Sequence, residues 1–269
     1  MSESQSAPAQ PQSTEPGPTQ SQSTQSGPLQ VEEGTDRVVV RLARPERRNA
    51  IDAEMVAALH EVCARLERDP AVLLLRGSGG GFAAGADIGQ LRERRRDDAL
   101  RGINSSIFDR IRRLPMPTIA LLEGYALGGG AELAYACDFR IGTPDVTIGN
   151  PEPGLGILAA AGATWRLAEL VGEPVAKEIL LAGRTLDASE AHQLRLLNEV
   201  VEADDLEATG QRWADRITRQ APLAVRLTKT VFHAPREAHP TIDDLAQAVL
   251  FETEEKHRRM TAFLERKKR

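Results

Sequence analysis

Cysteine is scarce in this chain, with two residues in 269, Cys63 and Cys137. Both sit in apolar helical patterns, which predicts buried free thiols and no disulfide framework. Histidine is thin as well. The five histidines stand singly, and no CxxC or HExxH spacing occurs, so no metal site is expected. No apolar run approaches the roughly 20 residues that a membrane-spanning helix needs. An excess of positive charge is missing too. A net charge of -5 gives no bulk attraction to a polyanion and predicts no nucleic-acid partner.

Large apolar side chains are almost absent from residues 1–30, which are Ser, Gln, Pro, Thr and Gly for the most part. Such a segment buries too little surface to offset its ordering entropy and predicts a disordered tail. It lacks the apolar core of a signal peptide. It has no Arg before Arg37 and carries Glu3 and Glu15, unlike a mitochondrial transit peptide, so a cytoplasmic location is the expectation.

Beyond residue 30 the composition changes. The chain is 41% hydrophobic and 27% charged, which suits one globular domain beside that tail. Val38–Leu42 and Val72–Leu75 read as apolar strands, and Asp52 is placed to cap a helix running to about Arg68. A charged helix is predicted from Leu91 to about Leu114, stopped by Pro115 and Pro117. Short strands are expected at 118–122, 139–141 and 146–148. Helices are expected at about 160–171, 173–182, 187–194, 203–219, 221–232 and 241–266. Strands alternating with helices predict an α/β fold with a helical C-terminal part.

Gly124-Tyr125-Ala126-Leu127-Gly128-Gly129-Gly130-Ala131-Glu132 holds the most chemistry. Three glycines between a strand and a helix strip away side chains and bare backbone N–H groups at a helix start. The partial positive charge there can hold an oxyanion. Glu132 sits on the first helical turn, a place that the macrodipole alone would also favour.

Three further segments join it. They are Arg48-Asn49-Ala50-Ile51, Phe82-Ala83-Ala84-Gly85-Ala86-Asp87-Ile88 and Gly149-Asn150-Pro151-Glu152-Pro153-Gly154-Leu155-Gly156. In order and spacing the four together resemble the crotonase superfamily, the enoyl-CoA hydratase/isomerase family in particular, from about Val38 to the C-terminus. The resemblance implies a crotonase-type ββα spiral over 31–220 and a C-terminal helical trimerisation region over 221–269. It implies trans-2-enoyl-CoA hydration on a coenzyme A thioester that is substrate, with no resident cofactor, by a homotrimer or hexamer. By the resemblance, the N–H groups of Ala86 and Gly129 form the oxyanion hole, and Glu132 and Glu152 are the catalytic carboxylates. The Ala84–Ile88 backbone, with Ala84, Asp87 and Ile88, embraces the CoA moiety. Arg48 and Ala50 line its mouth, and Gly128 and Pro151 also contact substrate. Read without the resemblance, Asp87 is a helix cap or a loop stabiliser, and the histidines and tyrosines are packing or surface residues.

Departures from the family pattern fall in one region. Pro153 follows Glu152 where an aliphatic residue is usual. The family's Pro-Gly-x-Gly-Gly-Thr-x-Arg-Leu is here Ala159-Ala160-Ala161-Gly162-Ala163-Thr164-Trp165-Arg166-Leu167. In the family this run helps shape the acyl pocket, so the changes bear on the substrate and leave the reaction type alone. Nearer the C-terminus, Arg258-Arg259 replaces the usual Glu-Gly. Two alternatives come with the reading. An enoyl-CoA isomerase often manages with a single carboxylate. An RNA-binding crotonase-fold protein would use Arg92-Glu93-Arg94-Arg95-Arg96, although Glu93, Asp97 and Asp98 offset that charge as on a solvated helix face.

Overall fold

The computed structural model describes residues 22–267. It opens on a hairpin in which β1 (Gln22–Ser26) pairs antiparallel with β2 (Leu29–Glu33). Disorder to residue 30 is therefore corrected for 22–30, while residues 1–21 lie outside the described residues. Low hydrophobicity predicted the tail, but an edge strand needs little of it. The β1 backbone pairs with β2, and β2 is anchored on β3 (Arg37–Leu42) through the buried Leu29 and Val31.

From β3 the chain passes through a 3-10 turn, Pro45–Arg47, into α1 (Ala53–Arg68). Asp52 caps α1 as expected, its Oδ1 accepting from Met55 N at 2.9 Å. β4 (Val72–Arg76) comes next. The charged stretch after it is three short helices rather than one, α2 (Ile88–Glu93), α3 (Arg96–Leu100) and α4 (Ile103–Arg112). Only α4 buries side chains, Ile107, Phe108 and Ile111. Without an apolar stripe α2 and α3 gain nothing by continuing as one helix, and left-handed Gly102 ends the run at φ 61°.

β5 (Thr118–Leu122), β6 (Tyr125–Leu127) and α5 (Gly129–Ala136) make one ββα turn. β7 (Phe139–Gly142), β8 (Thr147–Gly149) and, after the 3-10 turn Glu152–Leu155, α6 (Ala163–Val171) and α7 (Glu173–Ala182) make the next. β9 (Thr185–Asp187), α8 (Ala188–Gln193), β10 (Glu199–Val200) and α9 (Ala203–Thr218) close the core. α10 (Pro222–Phe232), α11 (Thr241–Phe251) and α12 (Glu254–Arg266) complete the chain. The predicted 241–266 helix is two, because Thr253 caps a new start by accepting from Lys256 N.

The main sheet has the order β1-β2-β3-β4-β5-β7-β10, parallel from β3 onward. A small sheet, β6-β8-β9, lies on the second leg of each turn. Single bridges Ile51–Ala86 and Ala83–Ala126 extend that stacking to the earlier turns. This is the spiral that the sequence predicted. Period-2 alternation divides the core. Val38, Val40, Leu73, Leu75, Ala120 and Leu122 face α1, α4 and α5, while Val39, Leu74, Ile119 and Leu121 meet α9 through Leu206, Ala214 and Ile217. Cys63 and Cys137 are buried free thiols, both pushed up to about 12 by burial. Among the described residues no helix is long and apolar enough to cross a membrane.

Candidate active site

The small sheet sets the site. β6 ends at Leu127, and Gly128 adopts φ 52° and ψ -124°, a conformation open to glycine and costly for a residue with a β-carbon. Its N–H donates to Gly149 O at 2.8 Å, which ties the turn to β8. α5 begins at Gly129. The Ala83–Ala86 segment runs beside it, held by Leu127 N to Ala83 O at 3.0 Å and Ile51 N to Gly85 O at 2.8 Å. The approach is close, because a β-carbon built on Gly129 would stand 3.4 Å from Ala86 N. Neither the Ala86 nor the Gly129 N–H reaches an acceptor among the described residues. Two bare N–H groups side by side, one of them at the start of α5, can hold an oxyanion.

Both glutamates come to this place. Glu132 projects from the first turn of α5 and is buried. Its Oε1 accepts from Ala161 N at 2.7 Å and Ala163 N at 3.1 Å. Burial raises its pKa to about 7; the nearby Glu152 charge adds to the rise and the two backbone donors oppose it. Glu152 arrives from the 3-10 turn after β8 and is also buried. Its Oε2 has no partner among the described residues, and burial raises its pKa too. Its Oε1 would lie 2.9 Å from a β-carbon at Gly128.

These groups open on a cleft of about 560 Å³. Of the residues singled out in the sequence, Ala84, Ala86, Ile88, Gly128, Gly129, Glu132, Pro151 and Glu152 line it. Arg48, Ala50 and Asp87 do not. The Arg48 guanidinium lies over the Tyr125 ring, 4.5 Å from its centroid, and the Arg48 carbonyl accepts from Ala84 N at 3.0 Å. Arg48 therefore supports the Ala84 segment from behind through its backbone. Asp87 is the cap of α2, accepting from Gln90 N at 2.8 Å. None of the five histidines lines the cleft. A second cavity, of about 170 Å³, lies beyond Glu132.

A family profile described as "Enoyl-CoA hydratase/isomerase" matches residues 33–269. The chain belongs to the enoyl-CoA hydratase/isomerase family. Among curated relatives, the short-chain-enoyl-CoA hydratase of Clostridium acetobutylicum is 35% identical over 244 residues, covering 86% of this chain and 92% of that protein. The crotonyl-CoA hydratase of Syntrophomonas wolfei is 36% identical over 242 residues, with 86% and 92% covered. A crystal structure of an enoyl-CoA hydratase from Bacillus anthracis superposes with a TM-score of 0.84 at 29% identity, covering 89% of this chain and 97% of that one. An enoyl-CoA hydratase structure from Thermoplasma volcanium gives a TM-score of 0.80 at 34% identity, with 88% and 97% covered.

Within this hydratase/isomerase-family chain, sequence reasoning missed five contributors. Asn49, at φ 54°, donates through Nδ2 to Ser78 O at 2.9 Å and Gly81 O at 2.8 Å, and fixes the loop that leads to Ala84. The left-handed tolerance of Asn was its only signal. Asn150 accepts from Tyr135 Oη at 3.1 Å and braces the strand end before Glu152. Arg94, Arg95 and Arg96, read as a solvated or RNA-facing stretch, line the cleft.

Proposed function

We propose that this protein hydrates trans-2-enoyl-CoA thioesters. One observation carries the reading: two buried carboxylates share a cleft with two unpartnered backbone donors. The thioester oxygen sits between the Ala86 and Gly129 N–H groups, and the coenzyme A thioester enters as substrate. Arg94, Arg95 and Arg96 offer cations to its phosphates, and Ala84, Ile88, Gly128 and Pro151 contact the substrate. The names of the curated relatives, a short-chain-enoyl-CoA hydratase and a crotonyl-CoA hydratase, support the same substrate class.

The chemistry comes from charge. Water attacks Cβ, and electron density moves through the conjugated system to the thioester oxygen as an enolate-like species forms. The two N–H groups stabilise that charge, each such donor being worth ~10²–10³ in rate. One carboxylate takes the proton of the attacking water and the other, protonated, delivers a proton to Cα. The net change is addition of H and OH across the double bond. Glu132 and Glu152 titrate as a coupled pair, and Glu132 at about 7 supports a state that holds one proton at neutral pH. The geometry of each group supports its role: Glu132 is oriented by Ala161 and Ala163, and Glu152 keeps Oε2 free to meet water.

Loss of the enoyl thioester absorbance with crotonyl-CoA tests the reading on the full chain. Turnover that falls by about 10²-fold or more in Glu152→Gln supports it. Parent-like turnover in that variant removes the assignment of Glu152. A protein that converts 3-enoyl-CoA to the conjugated isomer, and stops there, is an isomerase.

Assembly is part of the proposal. α11 and α12 bury no residue, and Leu245, Val249, Phe251, Met260, Phe263 and Leu264 stand exposed on them. Apolar surface of this extent calls for cover. A homotrimer, or a hexamer of two trimers, supplies it through the C-terminal helices. Light scattering that gives a monomer mass overturns this.

A further inference from the structure

The wall behind Glu132 carries a cation with no answering group. The smaller cavity shares Ser105, Glu132, Ala160 and Ala161 with the cleft, and runs on to Arg112, Trp165 and Arg166. Most charges around it are engaged. Arg166 Nε donates to Tyr135 O at 3.3 Å, and its Nη1 pairs with Glu169 at 2.9 Å. Asp109 pairs with Arg113 at 2.7 Å. Glu132 accepts two backbone N–H groups. Arg112 is the exception. Its Nε is buried with no partner among the described residues, and its guanidinium lies 4.9 Å from the Trp165 ring centroid. Stacking on an indole fixes the guanidinium plane but leaves its N–H groups unanswered. Burial, with the Arg166 cation adding to it, holds the Arg112 pKa below the ordinary arginine value. A part-buried cation with free donors is costly unless an anion completes it.

We propose that this cavity is the far end of the acyl site, and that Arg112 is a specificity-determining residue that pairs with a second carboxylate at the end of the acyl chain. The substrate class is then the trans-2-enedioyl-CoA thioesters. The placement rests on the hydratase reading above, since it takes the thioester to lie at Ala86 and Gly129. From there the acyl chain passes Glu132 and reaches the shared wall. Trp165 provides a flat apolar side for its methylenes, and the planar fork of Arg112 matches a carboxylate. Trp165 follows the alanines that depart from the family pattern, Ala159, Ala160 and Ala163, so the altered run and the unpaired cation sit together.

Binding of unreactive saturated thioesters separates this inference from the reaction. Calorimetry on the full chain compares glutaryl- and adipyl-CoA with pentanoyl- and hexanoyl-CoA, pairs equal in chain length that differ in the terminal carboxylate. At least about tenfold tighter binding of a diacid thioester than of its neutral counterpart is expected. Arg112→Met is expected to abolish that ratio, and Arg112→Lys, which keeps the charge, to retain part of it. Equal or weaker binding of both diacid thioesters by the parent protein overturns the proposal, as does a ratio that Arg112→Met leaves in place. Hydration of 2-hexenedioyl- and 2-hexenoyl-CoA tests the other reading. Turnover of neither, with the binding ratio intact, removes the hydratase and leaves the carboxylate site. Turnover of the neutral substrate without the binding ratio removes the site and leaves the hydratase.

Discussion

The Glu152 carboxylate rests over Gly128, with its Oε1 2.9 Å from the place where a β-carbon of that residue would stand. The glycine turn that bares the Gly129 N–H thus also makes room for the Glu152 carboxylate. Gly128→Ala is expected to push Glu152 aside and to strain a backbone at φ 52°. The strain costs about 1–3 kcal/mol of stability. Hydration of crotonyl-CoA is expected to fall by about 10²-fold or more. Steady-state kinetics check the rate, and circular dichroism with thermal melting checks that the fold survives.

Glu132 links the site to pH. Its carboxyl group titrates at the ordinary value of 4.5 when unfolded and at about 7 when folded, raised by burial. Below 4.5 it is protonated in both states and contributes nothing. Between the two values the unfolded chain ionises while the folded site stays protonated, so stability falls as pH rises. Above about 7 the loss is complete, on the order of 3 kcal/mol. Glu132→Gln lacks this loss. Its melting temperature relative to the parent is expected to climb between about pH 5 and about pH 8. A parallel pair of stability curves across that range contradicts the shift.

Tyr135 and Asn150 make a smaller brace. The Tyr135 hydroxyl, in a fully buried side chain, donates to Asn150 Oδ1 at 3.1 Å. Asn150 Nδ2 in turn donates to Gly128 O at 3.4 Å. Tyr135→Phe removes a donor and leaves a buried carbonyl oxygen short of one. A destabilisation of about 1–3 kcal/mol is expected by urea denaturation.

Lys229 anchors α10 to the main sheet. Its Nζ donates to Asp138 Oδ2 at 2.6 Å and to Met116 O at 3.1 Å, and its side chain is 8% exposed. Asp138 Oδ2 also accepts from Thr118 N at 2.8 Å. Lys229→Met leaves that carboxylate buried without its cation, and a loss of about 3–5 kcal/mol is expected. Adding Asp138→Asn is expected to recover part of it, which a double-mutant cycle on chemical unfolding measures.

Much of this was legible in the sequence, and for a local reason. Asp52 caps α1 because a carboxylate at that position meets the N–H three residues on. Glu173–Ala182 is a helix as read, set between Gly172 and Gly183. The glycine turn shows its bare backbone by composition, while its assignment to a thioester oxygen comes from the family resemblance. The misreadings are equally physical. The 91–114 stretch has helical composition throughout, but only α4 finds a core, so the helix breaks at Arg94 and Gly102. The polar residues 22–26 form a strand because β2, paired to β3 on one side, presents an open edge on the other.

By itself the sequence determined what depends on neighbours along the chain: the strands, the caps, the bare glycine backbone and the family pattern. Tertiary structure decided how far apart in the chain the reacting groups could be and still meet. Ala86 and Gly129 aim into one cleft because the bridges Ile51–Ala86 and Ala83–Ala126 stack successive turns. The Glu132 pKa rises to about 7 because burial in the assembled site outweighs the N–H groups of Ala161 and Ala163 that oppose the rise. Arg112 is left without a partner because the nearby carboxylates are taken, Glu169 by Arg166 and Asp109 by Arg113. Burial and charge pairing are properties of surfaces brought together in space, and no stretch of sequence carries them alone.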